Sequence, residues 1–124
     1  ALRYGRQYFR QLSGNGRDFG PAKGVGVPIS FSRILGDQEV LVLANTSATE
    51  PFQGHVQIDR VVNHRVAEFQ VILSNLAGAG TVVPVRKISN AVFWDGTEYK
   101  GSGPAASVEV DLQPMEFKLF CKAT

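Results

Sequence analysis

The sequence has few of the features that mark the common functional classes of protein. Its single cysteine, Cys121, allows no internal disulfide and indicates no redox compartment, and we expect a buried, inert thiol. The longest uninterrupted apolar run, residues 40–44, is far shorter than the roughly 18 residues that a membrane-spanning helix requires. The sequence therefore predicts no membrane partner.

An excess of one charge sign is also lacking. Thirteen Lys and Arg oppose 11 Asp and Glu, which gives a net charge of +2, and the two signs are interleaved. Because phosphate binding needs a concentrated basic surface, we predict no nucleic-acid partner. The densest basic stretch holds Arg3, Arg6 and Arg10, and we interpret it as a solvated face or an interdomain contact.

Residue sets that carry catalysis or bind metals are lacking as well. His55 and His64 stand in unlike contexts and, with one cysteine, do not complete a zinc site, so we predict no metal and no cofactor. No Gly-x-Ser-x-Gly motif occurs. Five carboxylates fall at outward strand positions, where a solvated surface is a better interpretation than a glycosidase pair: Asp59, Glu68, Glu109, Asp111 and Glu116.

The residues that are present indicate an all-β protein. With 124 residues, the chain suits one domain spanning residues 1–124, which buries roughly two-thirds of the unfolded surface. Residues 29–35 and 40–44 are rich in β-branched, aromatic and aliphatic side chains, and Gly36-Asp37 between them predicts a hairpin. Because residues 40–44 are apolar on both faces, both faces should be covered, as in the middle of a sandwich.

Further strands are predicted along the chain. Period-two alternation favours strands near residues 6–12, 52–59, 66–73, 82–88, 106–112 and 117–122, with Leu73, Phe117, Leu119 and Cys121 inward. Pro84 predicts an edge or irregular strand, and residues 13–28 and 97–104 predict surface loops. Seven or eight short strands with no helix after residue 5 predict an antiparallel Greek-key β-sandwich.

An aromatic cluster leaves two interpretations open. Phe93, Trp94 and Tyr99 flank a glycine-rich segment that would leave them accessible, and sugars stack on exposed aromatic faces. A lone tryptophan in a small sandwich is, however, usually buried as a core residue. These three residues are therefore candidates either for carbohydrate contact or for the core.

Three stretches together resemble a known family. Residues 31–37 and 39–47 resemble the C-terminal β-domain of the alpha-amylase family of glycoside hydrolases (family thirteen). Residues 1–8 look like the passage where the last barrel helix ends, here at residues 1–5, and the first strand of that domain begins. Residues 108–117 are similar to the closing strand pair, although Gln113 departs from the usual Leu-Pro-Pro pattern.

The resemblance implies a role without chemistry in this chain. Catalysis in that family belongs to an upstream (β/α)₈ barrel with an aspartate nucleophile and a glutamate acid/base, so no catalytic residue is assigned here. The expected parent is a retaining glycosidase or a glucanotransferase acting on α-glucosidic bonds. The C-terminal domain packs against the barrel and stabilises it, and Tyr4, Tyr8 and Phe9 are the candidate docking residues. Without the barrel, this patch would favour self-association.

Two other function classes stay open. An independent carbohydrate-binding module would contact an α-glucan oligosaccharide through Phe93, Trp94 and Tyr99. An adhesion-type or structural sandwich would rest on the fold class alone, which does not fix function.

Arg33 is the one charge predicted on an inward face. It shares an alternation face with Ile29, Phe31 and Leu35, and a buried guanidinium requires polar partners. We predict a hydrogen-bonded or ion-paired structural role for Arg33.

Overall fold

The computed structural model describes residues 6–13, 18–20, 28–76, 80–94 and 99–123. These ranges contain ten β-strands, and no helix in them is long and apolar enough to cross a membrane. The all-β prediction is confirmed, whereas the helix end expected at residues 1–5 lies outside the described ranges. The strands are β1 Arg6–Phe9, β2 Leu12–Ser13, β3 Asp18–Phe19, β4 Ile29–Leu35, β5 Gln38–Ala44, β6 Phe52–Ile58, β7 Glu68–Ser74, β8 Val82–Trp94, β9 Tyr99–Leu112 and β10 Phe117–Lys122.

The strands are hydrogen-bonded in the order β1-β4-β5-β10-β7-β8-β9-β6-β2, with β3 parallel to β8 and the other described pairings antiparallel. We call β1, β4, β5, β10, β7 and the start of β8 sheet A. The rest of β8, with β9, β6 and β2, is sheet B. The connection 59–67 leads from β6 in sheet B to β7 in sheet A, and β6 lies beside β9, which is a Greek-key arrangement.

The segment at residues 6–13 brings the two ends of this strand order together. β1 pairs with β4 at one end, and β2 pairs with β6 at the other. Between the two strands, the Arg10 amide donates to the Ser30 carbonyl and the Gln11 carbonyl accepts from the Gln57 amide. Because β1 and β2 are nearly continuous in the chain, the sheet almost closes on itself like a barrel, which shields its edges. We call this junction the seam.

Alternate residues of both sheets fill the core. Its buried members include Leu41, Leu43, Val56, Ile58, Phe69, Val71, Val108, Leu112 and Phe120. A smaller cluster joins Phe19 to Ala91 and Ala105. The prediction that residues 13–28 run over the surface is therefore wrong at Phe19, because β3 pairs with β8 and buries this side chain completely.

The predicted hairpin of β4 and β5 is confirmed. Leu35 lies opposite Gln38, so the loop has two residues. Gly36 has a φ of 63°, whereas Asp37 is not in the left-handed region. This combination is that of a type II′ turn, whose first central position favours glycine and whose twist matches antiparallel strands.

The buried face of β4 is the opposite of the predicted one. Ile29 is 50% exposed, whereas Ser30 and Ser32 are buried. The two hydroxyls find acceptors, because Ser30 Oγ donates to the Arg10 carbonyl at 2.7 Å and Ser32 Oγ donates to the carboxylate of Glu39. Alternation assigns residues to the two faces of a strand but does not say which face is buried. In β4 the face of Ser30 and Ser32 is buried because both hydroxyls have acceptors there.

The inward residues of β10 and β7 also differ from the prediction. Phe120 is the core residue of β10, whereas the alternation predicted residues 117, 119 and 121 inside. Phe117 is 37% exposed and Leu73 is 49% exposed. The register shifts between Leu119, which pairs with Leu73, and Phe120, which pairs with Val71. The extra residue is Ile72 of β7, so alternation cannot be extrapolated from Val71 to Leu73. β10 keeps its register with β5, and its buried face is simply the opposite of the predicted one.

Strands β8 and β9 form a long hairpin that joins the sheets. Of the two possibilities predicted from Pro84, the irregular strand is confirmed and the sheet edge is not, because Pro84 lies where β8 leaves β7 and continues beside β9. The missing amide of proline is tolerated at a point where the strand changes its partner. The predicted loop at residues 97–104 is wrong from Tyr99 onward, because β9 begins at that residue.

Candidate functional site

The outer face of sheet A carries apolar side chains over four neighbouring strands. Residues that pair directly across strands point to the same side of a sheet. On β4, β5, β10 and β7 the registers align two apolar rows. We call these rows the outer apolar face: Phe31, Val42, Leu119 and Leu73 in one, and Ile29, Ala44 and Phe117 in the other.

This face is partly open to solvent in the described structure, with Phe31 and Leu119 half-buried. Ile29, Leu73 and Phe117 are exposed, and Val42 and Ala44 are half-buried. Both faces of residues 40–44 were expected to be covered, but the face that carries Val42 and Ala44 is covered only in part. The water side of an antiparallel sheet normally alternates with polar residues, so contiguous apolar rows there indicate an interaction surface.

A buried carboxylate supports sheet A from its inner side. Glu39 of β5 is only 1% exposed. Its Oε2 accepts from Arg10 Nη2 at 2.8 Å, from Arg10 Nε at 3.2 Å and from Ser32 Oγ at 2.5 Å. Its Oε1 accepts from the Asp59 amide and from Asn63 Nδ2, both at 2.8 Å. One cation and three neutral donor groups therefore compensate the buried charge.

The Glu39 network connects four parts of the fold. Arg10 belongs to the seam, Ser32 to β4, and Asp59 and Asn63 to the connection between β6 and β7. The expectation that Arg10 lies on a solvated face or at an interdomain contact is wrong, because the guanidinium is paired with Glu39 inside the domain. The network holds β4 and β5 against the seam, and these two strands carry four of the seven residues of the outer apolar face.

A second buried carboxylate fixes the edge of this face beside Phe117. Glu116 was predicted to be solvated, but it is 3% exposed. It accepts from Ser74 Oγ at 2.7 Å and from the Gln113 amide at 2.9 Å. Glu116 immediately precedes β10 and lies on the same alternation face as buried Phe120. Of the other predicted outward carboxylates, Asp59 is half-buried and the remaining three are exposed: Glu68, Glu109 and Asp111.

Of the sequence-predicted docking residues, Tyr8 lies off the outer apolar face. Tyr8 is exposed, but it pairs with Ser32, whose side chain lies on the inner face of sheet A. The Arg10 guanidinium lies 5.3 Å from the centroid of the Tyr8 ring. The backbone of Phe9 pairs with Phe31, while the Phe9 side chain and the whole of Tyr4 lie outside the described structure.

The aromatic cluster is only partly visible. The Phe93 ring stacks on buried Phe19 with centroids 6.0 Å apart, so Phe93 packs against the smaller core cluster. Trp94 and Tyr99 pair through their backbones at the end of the hairpin of β8 and β9. Their side chains lie outside the described structure, so carbohydrate contact by these two residues stays a prediction.

The remaining predicted residues have plain structural settings. Arg33 is half-buried and has an interaction partner, so it is not free in solvent. Cys121 is half-buried, and desolvation raises the pKa of its thiol, an effect that the charge of Lys122 opposes. Among the described residues, no group of three or more His, Cys, Asp or Glu could hold a metal ion.

The sequence reasoning missed both buried carboxylates and the outer apolar face. A signal for the face was present, because β7 and β10 carry apolar residues at both odd and even positions. No local signal distinguishes Glu39 from a solvated glutamate near a turn, since its partners come from distant segments. Comparisons of the chain with protein-family models, curated proteins and solved structures found no match.

Proposed function

We propose that the chain is a non-catalytic C-terminal domain of an alpha-amylase-family glycoside hydrolase or glucanotransferase. The domain packs against the catalytic (β/α)₈ barrel of its parent and stabilises it, and the parent acts on α-glucosidic bonds. The order and spacing of the three resembling stretches support this family. The outer apolar face is the observation that supports a docking role.

The outer apolar face suits a permanent partner within the same protein. Burying a large aliphatic or aromatic side chain completely stabilises a structure by about 1.5–3 kcal/mol. Covering the exposed half of one such side chain at an interface therefore contributes about 1 kcal/mol. Ile29, Leu73 and Phe117 are the residues with most area left to bury. Contacts of this size add to a barrel interface without being needed to fold the sandwich, whose own core lies on the other side of sheet A.

Two experiments test the function. The coding sequence upstream of Ala1 should encode a (β/α)₈ barrel with the aspartate nucleophile and the glutamate acid/base of the family. An unrelated module there would contradict the proposal. The isolated chain should release no sugar from an α-glucan, because the catalytic carboxylates belong to the barrel, and measurable hydrolysis would contradict this part.

A separate titration distinguishes the carbohydrate-binding alternative. Trp94 is the only tryptophan, so intrinsic fluorescence reports on that residue alone. Under the docking proposal, maltooligosaccharides leave this fluorescence unchanged. A saturable change would instead favour a sugar site at Trp94 and Tyr99.

A further inference from the structure

A cavity of about 500 Å³ lies between the connection of β6 to β7 and the hairpin of β8 and β9. It is remote from the outer apolar face, because its walls come from residues 60–64 and from sheet B strands. Sites for small molecules are typically cavities of about 300–1,000 Å³ with apolar walls and a few polar groups. The size of this cavity therefore suits a small organic ligand.

The two charged residues that line the cavity are both basic. They are Arg60 and Lys87, which lie beside His64, and no carboxylate is among the described lining residues. The overall charge of the chain is nearly balanced, so two cations without a carboxylate are a feature of this site and not of the composition. Clefts lined by one sign of charge concentrate ligands of the opposite sign.

Hydrogen bonds hold Lys87 and His64 in place. Lys87 Nζ donates to the His64 carbonyl at 2.7 Å, which fixes the ammonium at the cavity and leaves it further donors. His64 Nδ1 lies 3.0 Å from the Val61 carbonyl. Because a carbonyl only accepts, Nδ1 carries the proton, and in the neutral ring Nε2 is an acceptor for an N–H or O–H group of a ligand.

The rest of the lining is apolar. Ala105 is buried and Ile88 packs against the smaller core cluster. Val61 is 71% exposed at the other side of the cavity. A ligand that covered Val61 and contacted Ile88 would remove apolar surface from water on both sides.

We propose that this cavity binds a small organic anion, namely an apolar ring or chain that bears one carboxylate, phosphate or sulfonate group. The anionic group meets Arg60 and Lys87, and the apolar body lies between Val61 and Ile88. The site is independent of the docking role. It stays accessible to a ligand when the outer apolar face of the domain is packed against the barrel.

Anilinonaphthalene sulfonate is a suitable probe, since it joins an aromatic body to one sulfonate and fluoresces when bound in apolar surroundings. Its uncharged counterpart, N-phenylnaphthylamine, is the matched control ligand. We expect saturable binding of the sulfonate, with chemical-shift changes at Val61, Lys87 and Ile88, and weaker binding of the uncharged dye. Added sodium chloride should lower the affinity for the sulfonate only.

Two variants test the basic residues separately. Lys87→Met keeps the aliphatic stem and Arg60→Gln alters an exposed side chain, so one folded variant remains if the other fails to fold. Each should weaken sulfonate binding about fivefold, as for a partly exposed ion pair. Lys122→Met, whose ammonium pairs with Asp37, is the control and should bind as the unaltered chain does.

Three results would each overturn the proposal: no saturable sulfonate binding, equal affinity for the two dyes, or unchanged affinity in both variants. Binding that maps to Leu73 and Phe117 would also overturn it, because the dye would then report the outer apolar face.

Discussion

Arg10 and Glu39 form a buried ion pair between the seam and the middle of sheet A. Arg10 Nη2 lies 2.8 Å from Glu39 Oε2, and the Glu39 side chain has no exposed surface. The two residues are 29 positions apart in the chain, so the pair fixes tertiary structure and not a local turn. Every group that contacts the carboxylate is a donor, and this sets the first prediction.

Glu39→Gln should destabilise the domain almost as much as Glu39→Ala. Whichever way the glutamine amide is turned, its NH₂ group faces donors, either Arg10 and Ser32 or Asp59 N and Asn63 Nδ2. Breaking a buried pair typically costs about 3–5 kcal/mol, and we expect a loss in this range. Chemical denaturation followed by circular dichroism measures the free energy of unfolding.

Asp37→Asn is the matched control for this prediction. Asp37 also pairs with a cation, Lys122 Nζ at 3.5 Å, but its side chain is 90% exposed. Exposed pairs contribute little, so the free energy of unfolding should stay unchanged within error. Equal losses for Glu39→Gln and Asp37→Asn would contradict a special role for the buried network.

Gly36→Ala should destabilise the hairpin through backbone strain alone. The φ of 63° at Gly36 is unfavourable for a residue with a Cβ, and a Cβ built there meets nothing within 4 Å. We expect a loss of about 1 kcal/mol for alanine and a smaller one for Gly36→Asn, since asparagine tolerates this region better. A loss of stability that is the same for both variants would point to a cause other than φ.

These hairpin and network features differ in how far the sequence predicts them. The turn at Gly36-Asp37 depends on residues adjacent in the chain, so its prediction is correct. The choice of buried face in β4 depends on Glu39 and Arg10, which lie in other segments. From the sequence alone, a strand face that carries serines is interpreted as solvated, because its hydrogen-bonding partners in other segments are not known.

A bulge at Ile72 of β7 and two adjacent apolar residues in β10 explain the second group of errors. Leu119 and Phe120 are adjacent and both apolar, so the period of two does not say which one enters the core. The same ambiguity conceals the outer apolar face, since strands with apolar residues on both sides look like the centre of a sandwich. The strand order places β10 between β5 and β7, and only this order identifies which side of these strands faces solvent.

Cys121 should react slowly with thiol reagents at neutral pH. Desolvation raises its pKa above the ordinary value of 9.0, so the reactive thiolate is scarce. Removing the opposing cation in Lys122→Met should raise the pKa further and shift the rate profile to higher pH. Alkylation rates measured against pH test this, and a profile shifted to lower pH in Lys122→Met would contradict the assigned influence of Lys122.

The outer apolar face gives the central prediction. In the full-length parent, Leu73→Lys combined with Phe117→Lys should weaken the contact between the domain and the barrel by about 2–4 kcal/mol, through lost burial and a desolvated charge. The isolated domain should lose less stability, because Leu73 is 49% and Phe117 37% exposed there and only the parent also loses the burial of these exposed parts. Val61→Lys, an exposed apolar residue away from sheet A, is the control.

The most direct measurement is thermal unfolding of the parent and of the isolated domain, each with and without the pair of substitutions. We predict a larger decrease in unfolding temperature for the substituted parent than for the substituted isolated domain, and no change for Val61→Lys. An unchanged parent, or an equal decrease in the isolated domain, would contradict the outer apolar face as the surface that docks on the barrel.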